Sequence, residues 1–305
     1  MPTYSEYESN FQYSSKNLNY INNIEYYRDI CYDESEEEKK RSIKLREQVN
    51  NEGRLNVHNK RLVSFESEEL MNCIAPNYFE LRTAYPGLLV GTGLPHSFGG
   101  KGEAELGLML DYVTGMPYIP GSSVKGALRS AFVHEEYIRS LLETEKVTEY
   151  DKIKISELEA HIFGNPVDKK KPQFDVSLHE QDIFYDAVVV SEGKILATDS
   201  ITPHRTNPEL LELAAPNPIT MIRIRPDVTF KFQFQLTDYE KDEIKITAEQ
   251  KLGLFKQILI DLGIGAKTNV GYGTLEETVS VEKSQEEILM NGFSNGIRIR
   301  EPRRR

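Results

Sequence analysis

The chain has 305 residues, 39% hydrophobic and 28% charged, a globular composition that excludes wholesale disorder and gives ample core for one large domain or two modest ones. Its 37 basic against 48 acidic side chains give a formal charge of −11, which argues against a protein that finds nucleic acid unaided through bulk charge, since phosphate-backbone affinity rests on Lys and Arg displacing counterions. No stretch approaches the ~20 apolar residues of a membrane span, and the start is polar where a secretory leader is apolar, so a cytoplasmic protein without a membrane partner is expected.

Residues 1–74 read as an extension that docks on something else: they hold seven of the sixteen tyrosines and the acidic-to-basic run from Asp33 to Arg41, with a thin helical stripe at Ile43, Leu45 and Val49. The two cysteines, Cys31 and Cys73, supply neither a disulfide framework nor a cysteine-based zinc site. From Tyr78 a strand is expected, interrupted at Pro86-Gly87 and followed by a loop rich in glycine from Gly91 to Gly102. Pro120-Gly121-Ser122-Ser123 opens a helix that either serine is suited to cap, with Val124, Ala127, Leu128, Ala131 and Phe132 as its apolar face. Residues 141–181 read as an insertion of low regularity, with Lys169 to Lys171 on a loop.

Further on, segments 182–190 and 194–198 flank Ser191-Glu192-Gly193, a hairpin signal. A strand over 219–225 precedes Val228, Phe230, Phe232, Phe234 and Leu236, whose period of two predicts a strand with one buried face. Thr247 to Gln250 has the form of a capping box, and Ala248, Leu252, Phe255, Leu259 and Leu262 continue at helical spacing until Gly263. A last strand is expected over 272–281, and residues 283–305 form a basic tail, in which positions 298–305 hold five arginines against one glutamate. Strand, helix, several strands, helix, strand is the order of an α+β ferredoxin-like sandwich over residues 75–282.

Two clusters carry possible chemistry. Gly263, Gly265, Gly271 and Gly273 bracket Lys267 and Asn269 in a loop whose glycines permit positive φ and close approach of another chain. It is not a phosphate-binding Walker loop, because Ala266 stands where that motif needs glycine; nor is it a dinucleotide fingerprint, because a helix precedes it. As a bare loop it is also a tight helix-to-strand connection. At the first helix, unpaired backbone N–H groups near Ser122 and Ser123, with Lys125 and Arg129 four apart on one face, make a phosphate-binding corner or an ordinary capped helix with two solvated cations.

His96, beside Pro95 in the glycine-rich loop, is a candidate general base or, more ordinarily, a binding side chain. Glu103 and Glu105 have no third ligand at metal spacing, and Ile138 stands where the second histidine of a zinc-protease helix belongs, so neither metal nor cofactor is expected. The alternating phenylalanines read as core and do not match the RRM signature.

The pattern G-x-G-x5-G-x-G at Gly263 to Gly273 resembles the C-terminal signature of the RAMP proteins of CRISPR systems, and Met116 to Arg129 is similar to the stretch opening their first helix. Asp199 to His204 and Gly93 to His96 resemble elements of the branch that forms the sixth subunit of the type III-B (Cmr) effector complex, with Thr202 in place of asparagine. The resemblance implies a ferredoxin-like core at the end of a stack of related RAMP subunits, holding the 3′-proximal part of a guide RNA that pairs with target RNA in antiviral defence. It implies that Ser122, Ser123, Lys125 and Arg129 meet guide phosphates, and that residues 263–273 let the backbone pass close to the RNA with Lys267 and Asn269 as donors. Catalytic backbone subunits of such stacks use an aspartate after the first strand; residues 91–102 contain none, so a non-catalytic cap is expected, with His96 binding RNA. The rival expectation is a metal-independent endoribonuclease acting on precursor RNA with His96 as base. A third is an assembly module whose glycine loop packs only against a neighbour.

Overall fold

The structure, a computed structural model, describes residues 73–91, 105–166, 172–177, 179–191, 194–201, 219–241 and 244–278, together with Asn17, Tyr20 and Asp168. Among these residues, twelve strands and four α-helices make a mixed α/β fold with mainly antiparallel pairing. In chain order they are β1 (Asn77–Thr83), β2 (Glu105–Leu106), β3 (Met109–Leu110), β4 (Pro117–Ile119), α1 (Gly121–Ala131), α2 (Glu135–Thr144) and α3 (Ile155–Phe163). There follow β5 (Ile183–Phe184), β6 (Ala187–Val189), β7 (Leu196–Ile201), β8 (Ile219–Ile224), β9 (Thr229–Gln235), β10 (Tyr239–Lys241), β11 (Ile244–Ile246), α4 (Ala248–Leu262) and β12 (Leu275–Glu277).

The main sheet runs β12-β1-β9-β6-β4-β3, with β5 extending the pairing of β9. β1 pairs antiparallel with β9 from Asn77 opposite Phe234 to Arg82 opposite Thr229, and with β12 at Thr83 opposite Leu275. β9 is central, so both its faces are covered: Phe230, Phe232 and Phe234 face the helices, while Lys231 and Gln233 on the other face are also buried. This corrects the expectation of one buried face, because alternation in sequence reports polarity and not what covers the polar side. The Lys231 ammonium lies 4.1 Å from the centre of the Tyr78 ring, which is the kind of partner a buried cation needs.

The interior joins the sheet to the helices through aromatic contacts, with Phe79 stacked on Phe232 at 5.4 Å and Phe255 of α4 at 5.6 Å from Phe234. α1 buries Val124, Leu128 and Ala131 as its spacing requires. The capping box at α4 is formed: the Thr247 hydroxyl accepts from the Gln250 N–H, and the Gln250 carboxamide accepts from the Thr247 N–H at 3.0 Å. The buried stripe of α4 is Lys251, Leu254, Phe255, Ile258 and Leu259, turned from the expected one, and Leu262 is exposed.

Two further expectations are corrected. Residues 141–181 are more regular than their composition suggests, since α2 buries Ile138, Leu141 and Leu142, and α3 buries Leu158, Ile162 and Phe163. The segments around Ser191 form no hairpin: β6 pairs with β4 and β9, whereas β7 leaves to pair with β8 in a second sheet of order β2-β8-β7. Within the described residues the last strand is Leu275–Glu277, starting three residues later than expected, and residues 279–281 lie outside them. Among the described residues no helix is long and apolar enough to cross a membrane. The expected helix over 35–49 and the basic tail lie outside the described residues, as do Lys169 to Lys171.

Candidate nucleic-acid interface

The glycine loop leaves α4 at Gly263 and returns to β12 through Thr274. Its four glycines all have positive φ, from +68° at Gly263 to +101° at Gly265, and Lys267 adopts the left-handed region at +61°. Glycine is required at three of them, Gly263, Gly265 and Gly273, for a second reason. A Cβ on Gly273 would lie 1.9 Å from the Ile264 carbonyl oxygen, and one on Gly265 would lie 2.3 Å from that of Leu89. The loop is pinned by backbone hydrogen bonds: the Ile264 N–H donates to Gly273 O at 2.9 Å, Ala266 N–H to Leu89 O at 2.8 Å, and Gly273 N–H to Gly87 O at 2.8 Å. Held at its base in this way, residues 265–270 form an exposed tip that presents Lys267, Thr268, Asn269 and Val270 to solvent.

Asp199 stands under this loop. Its Oδ2 accepts from the Tyr272 hydroxyl and from Arg223 Nε, each at 2.7 Å, and its Oδ1 accepts from the Ser200 N–H at 2.8 Å. Partial burial pushes the Asp199 carboxyl up, but these three donors outweigh it and hold the group below the ordinary carboxylate range. The Tyr272 phenol is pushed up to about 12, by burial first and then by its bond to the Asp199 carboxylate. β7 is thereby tied to the glycine loop, a link between two separated sequence elements that no local pattern announces. Thr202, Pro203 and His204 lie outside the described residues, as does His96.

At the other cluster α1 begins at Gly121, one residue before the expected serine caps. Pro120 is the N-cap residue, and neither serine makes a capping hydrogen bond. Asp186 caps in their place, its Oδ1 accepting from the Gly121 N–H at 2.7 Å, so a carboxylate already occupies the positive end of the helix. Ser122 is exposed and Ser123 half-buried. Arg129 is not a solvated cation: its Nε donates to Glu159 Oε1 at 2.7 Å and its Nη2 to the Gly164 carbonyl at 3.3 Å, which clamps α1 to α3. Lys125 is half-buried with its Nζ 5.7 Å from the Phe184 ring centre. Burial and then Arg129 pull its pKa down, while Asp182 opposes them.

Lys125 edges a cleft of about 350 Å³ lined by Gly121, Ser122, Gln181, Asp182, Ile183 and Phe184. Behind its wall is a buried polar group that sequence reasoning missed. Lys251 donates to both carboxylate oxygens of Asp182, at 2.8 and 3.1 Å, with both side chains fully buried. His161 Nδ1 is 3.4 Å from the same ammonium. The signal was the position of Lys251, three, four and seven residues before Leu254, Phe255 and Ile258 on one helical face.

The two clusters are not brought together. The Gly121 end packs on Phe184, which pairs opposite Phe234 and so lies at the Asn77 end of β1; the glycine loop lies at its Thr83 end. The length of β1 therefore separates them, roughly 20 Å at the rise of a strand. Among the described residues no group of three or more His, Cys, Asp or Glu side chains is arranged to hold a metal ion.

The glycine loop thus leaves α4, is pinned to residues 87–89 just after β1, and leads into the edge strand β12 of the main sheet. The RAMP superfamily profile matches residues 80–276, and the chain belongs to that superfamily. Within it, the chain is 29% identical over 223 residues to the CRISPR system Cmr subunit Cmr6 of Pyrococcus furiosus, covering 58% of this chain and 62% of that protein. It is 29% identical over 200 residues to the Cmr6 subunit of Saccharolobus solfataricus, covering 65% and 56%. The chain thus spans about three fifths of the length of these curated relatives. In fold it resembles a chain of the type III-B Cmr-beta complex bound to cognate target RNA, with a TM-score of 0.50 at 21% identity over 84% of this chain and 80% of that one.

Proposed function

We propose that this chain is a non-catalytic guide-RNA-binding subunit of a type III-B CRISPR effector complex, capping the 3′-proximal end of the stack in the cytoplasm. Its partners in this reading are the guide RNA, neighbouring RAMP subunits and, through the guide, target RNA. The likeness to Cmr6 subunits supports membership of such a complex. A ferredoxin-like core is supported by the strand order β12-β1-β9-β6, with α1 after β1 and α4 after β9.

The observation that carries the RNA reading is the glycine loop: a backbone pinned at its base by its own hydrogen bonds and close glycine packing, with Lys267 and Asn269 exposed at the tip. Such contacts grip backbone and shape and leave sequence reading to base pairing in the guide. Lys125 serves as a second cation at the far end of β1, and Arg129 supports it by fixing α1 against α3. His96 has a binding role and no catalytic one in this account.

The double substitution Lys125→Ala with Lys267→Ala tests the reading. Guide RNA retention by the assembled complex is expected to weaken by about tenfold or more, as for removal of charge-assisted hydrogen bonds. The salt slope should become shallower by about 1.4, at about 0.7 for each phosphate of a single strand that is no longer neutralised. Unchanged RNA occupancy and salt slope would overturn it.

A further inference from the structure

Beside the glycine loop stands an aromatic side chain for which the contacts above have no use. Tyr85 is 82% exposed. The backbone around it is anchored on both sides: the Ala84 N–H donates to Thr274 O at 2.9 Å, and the Gly87 carbonyl accepts from the Gly273 N–H at 2.8 Å. Pro86 abuts the loop itself, its Cδ lying 3.4 Å from where a Cβ on Gly271 would stand. A ring on fixed backbone, one residue from contact with the loop, forms a platform that needs little ordering when something settles on it.

The electrostatics of this patch suit an anionic strand. Residues 84–91 and 263–274 contain no carboxylate, and their single charge is Lys267, in a chain of net charge −11. Asp199, the carboxylate beneath them, is matched by Arg223 and Tyr272 at 2.7 Å each. The apolar surface is small, the Tyr85 ring with Val270 at 66% exposure, and it lies beside exposed Lys267, Thr268 and Asn269. A protein partner calls for a broader apolar core to its interface. One ring beside a cation and exposed polar side chains is the combination that holds single-stranded nucleic acid, by stacking a base while the phosphates are gripped alongside.

We propose that Tyr85 is the stacking platform for one unpaired base of the RNA strand that Lys267 and Asn269 hold by its backbone, an inference that rests on the RNA-binding reading of the glycine loop. A phenol ring offers a π-face to any base, so the contact demands no sequence and suits a guide whose sequence varies.

The test uses the full chain in its assembled complex, reconstituted with guide RNAs that carry 2-aminopurine at one position at a time. With the native chain, fluorescence is quenched at a position beside the loop. Tyr85→Phe keeps that quench; Tyr85→Ala abolishes it and weakens guide retention about tenfold, equivalent to about 1.4 kcal/mol. Thermal unfolding of the variants, unchanged for so exposed a side chain, separates this from misfolding. If Tyr85→Ala retains both quench and affinity while Lys267→Ala weakens retention, the platform is refuted and the RNA reading stands. If neither substitution alters retention, or the complex holds no guide RNA, both fall together.

Discussion

Lys251 occupies α4 on the same face as Leu254 and Phe255 and is as deeply buried as they are, held by the Asp182 carboxylate. Burial pushes the Asp182 carboxyl up and the Lys251 ammonium down, each opposed by the ion pair between them. The neighbouring His161 is held down to about 4, first by burial and then by the Lys251 charge, against an ordinary 6.5. Between those values the unfolded chain binds a proton that the folded chain does not. Stability contributed by neutral His161 is therefore fully present above about pH 6.5 and is lost as pH falls towards 4. Thermal unfolding of the full chain between pH 7.5 and 5 is expected to show this as a loss on the order of 1 kcal/mol, kept small because the ring is only half-buried, and His161→Gln should flatten the slope. Equal slopes in the two proteins would refute the assignment. The glycine loop and Lys267 were legible as a motif, because their spacing is local. The engagement of Arg129 was not, since Glu159 and Gly164 lie thirty and more residues away.

Gly126 of α1 and the glycines of the loop make opposite demands, and a pair of substitutions separates them. Gly126 lies on the exposed side of α1, where an added Cβ meets nothing within 4 Å. Gly126→Ala is expected to stabilise the chain by about 0.5–1 kcal/mol by reducing unfolded-state entropy. Gly273→Ala combines a φ of +76° with a 1.9 Å clash against backbone, and is expected to cost more than about 2 kcal/mol. Urea unfolding midpoints measure both, and a neutral Gly273→Ala would contradict the pinned-loop geometry. The same elements show where local pattern stops being informative. Helix α1 and strand β9 followed from spacing and the cap of α4 from capping chemistry, whereas the cap of α1 by Asp186 did not. The divergence of β6 and β7 into separate sheets did not, because a turn signal at Ser191 reports a bend and not the strand that each arm will pair with.

The described residues place Lys125 and Lys267 at opposite ends of β1. An RNA strand touching both must run roughly the length of that strand, about 20 Å. With so acidic a chain, RNA is expected to be held well only where neighbouring subunits add positive charge. The mixed α/β character with antiparallel pairing was accessible from the order of elements, whereas the separation of the two clusters depended on sheet register, which no single segment encodes. The most direct test is to tag the full chain in its native host, purify it at moderate salt, and identify every protein and RNA that co-elutes. The account predicts recovery with several related subunits and RNA of uniform guide length; recovery alone, or with freshly cut precursor RNA, would contradict it.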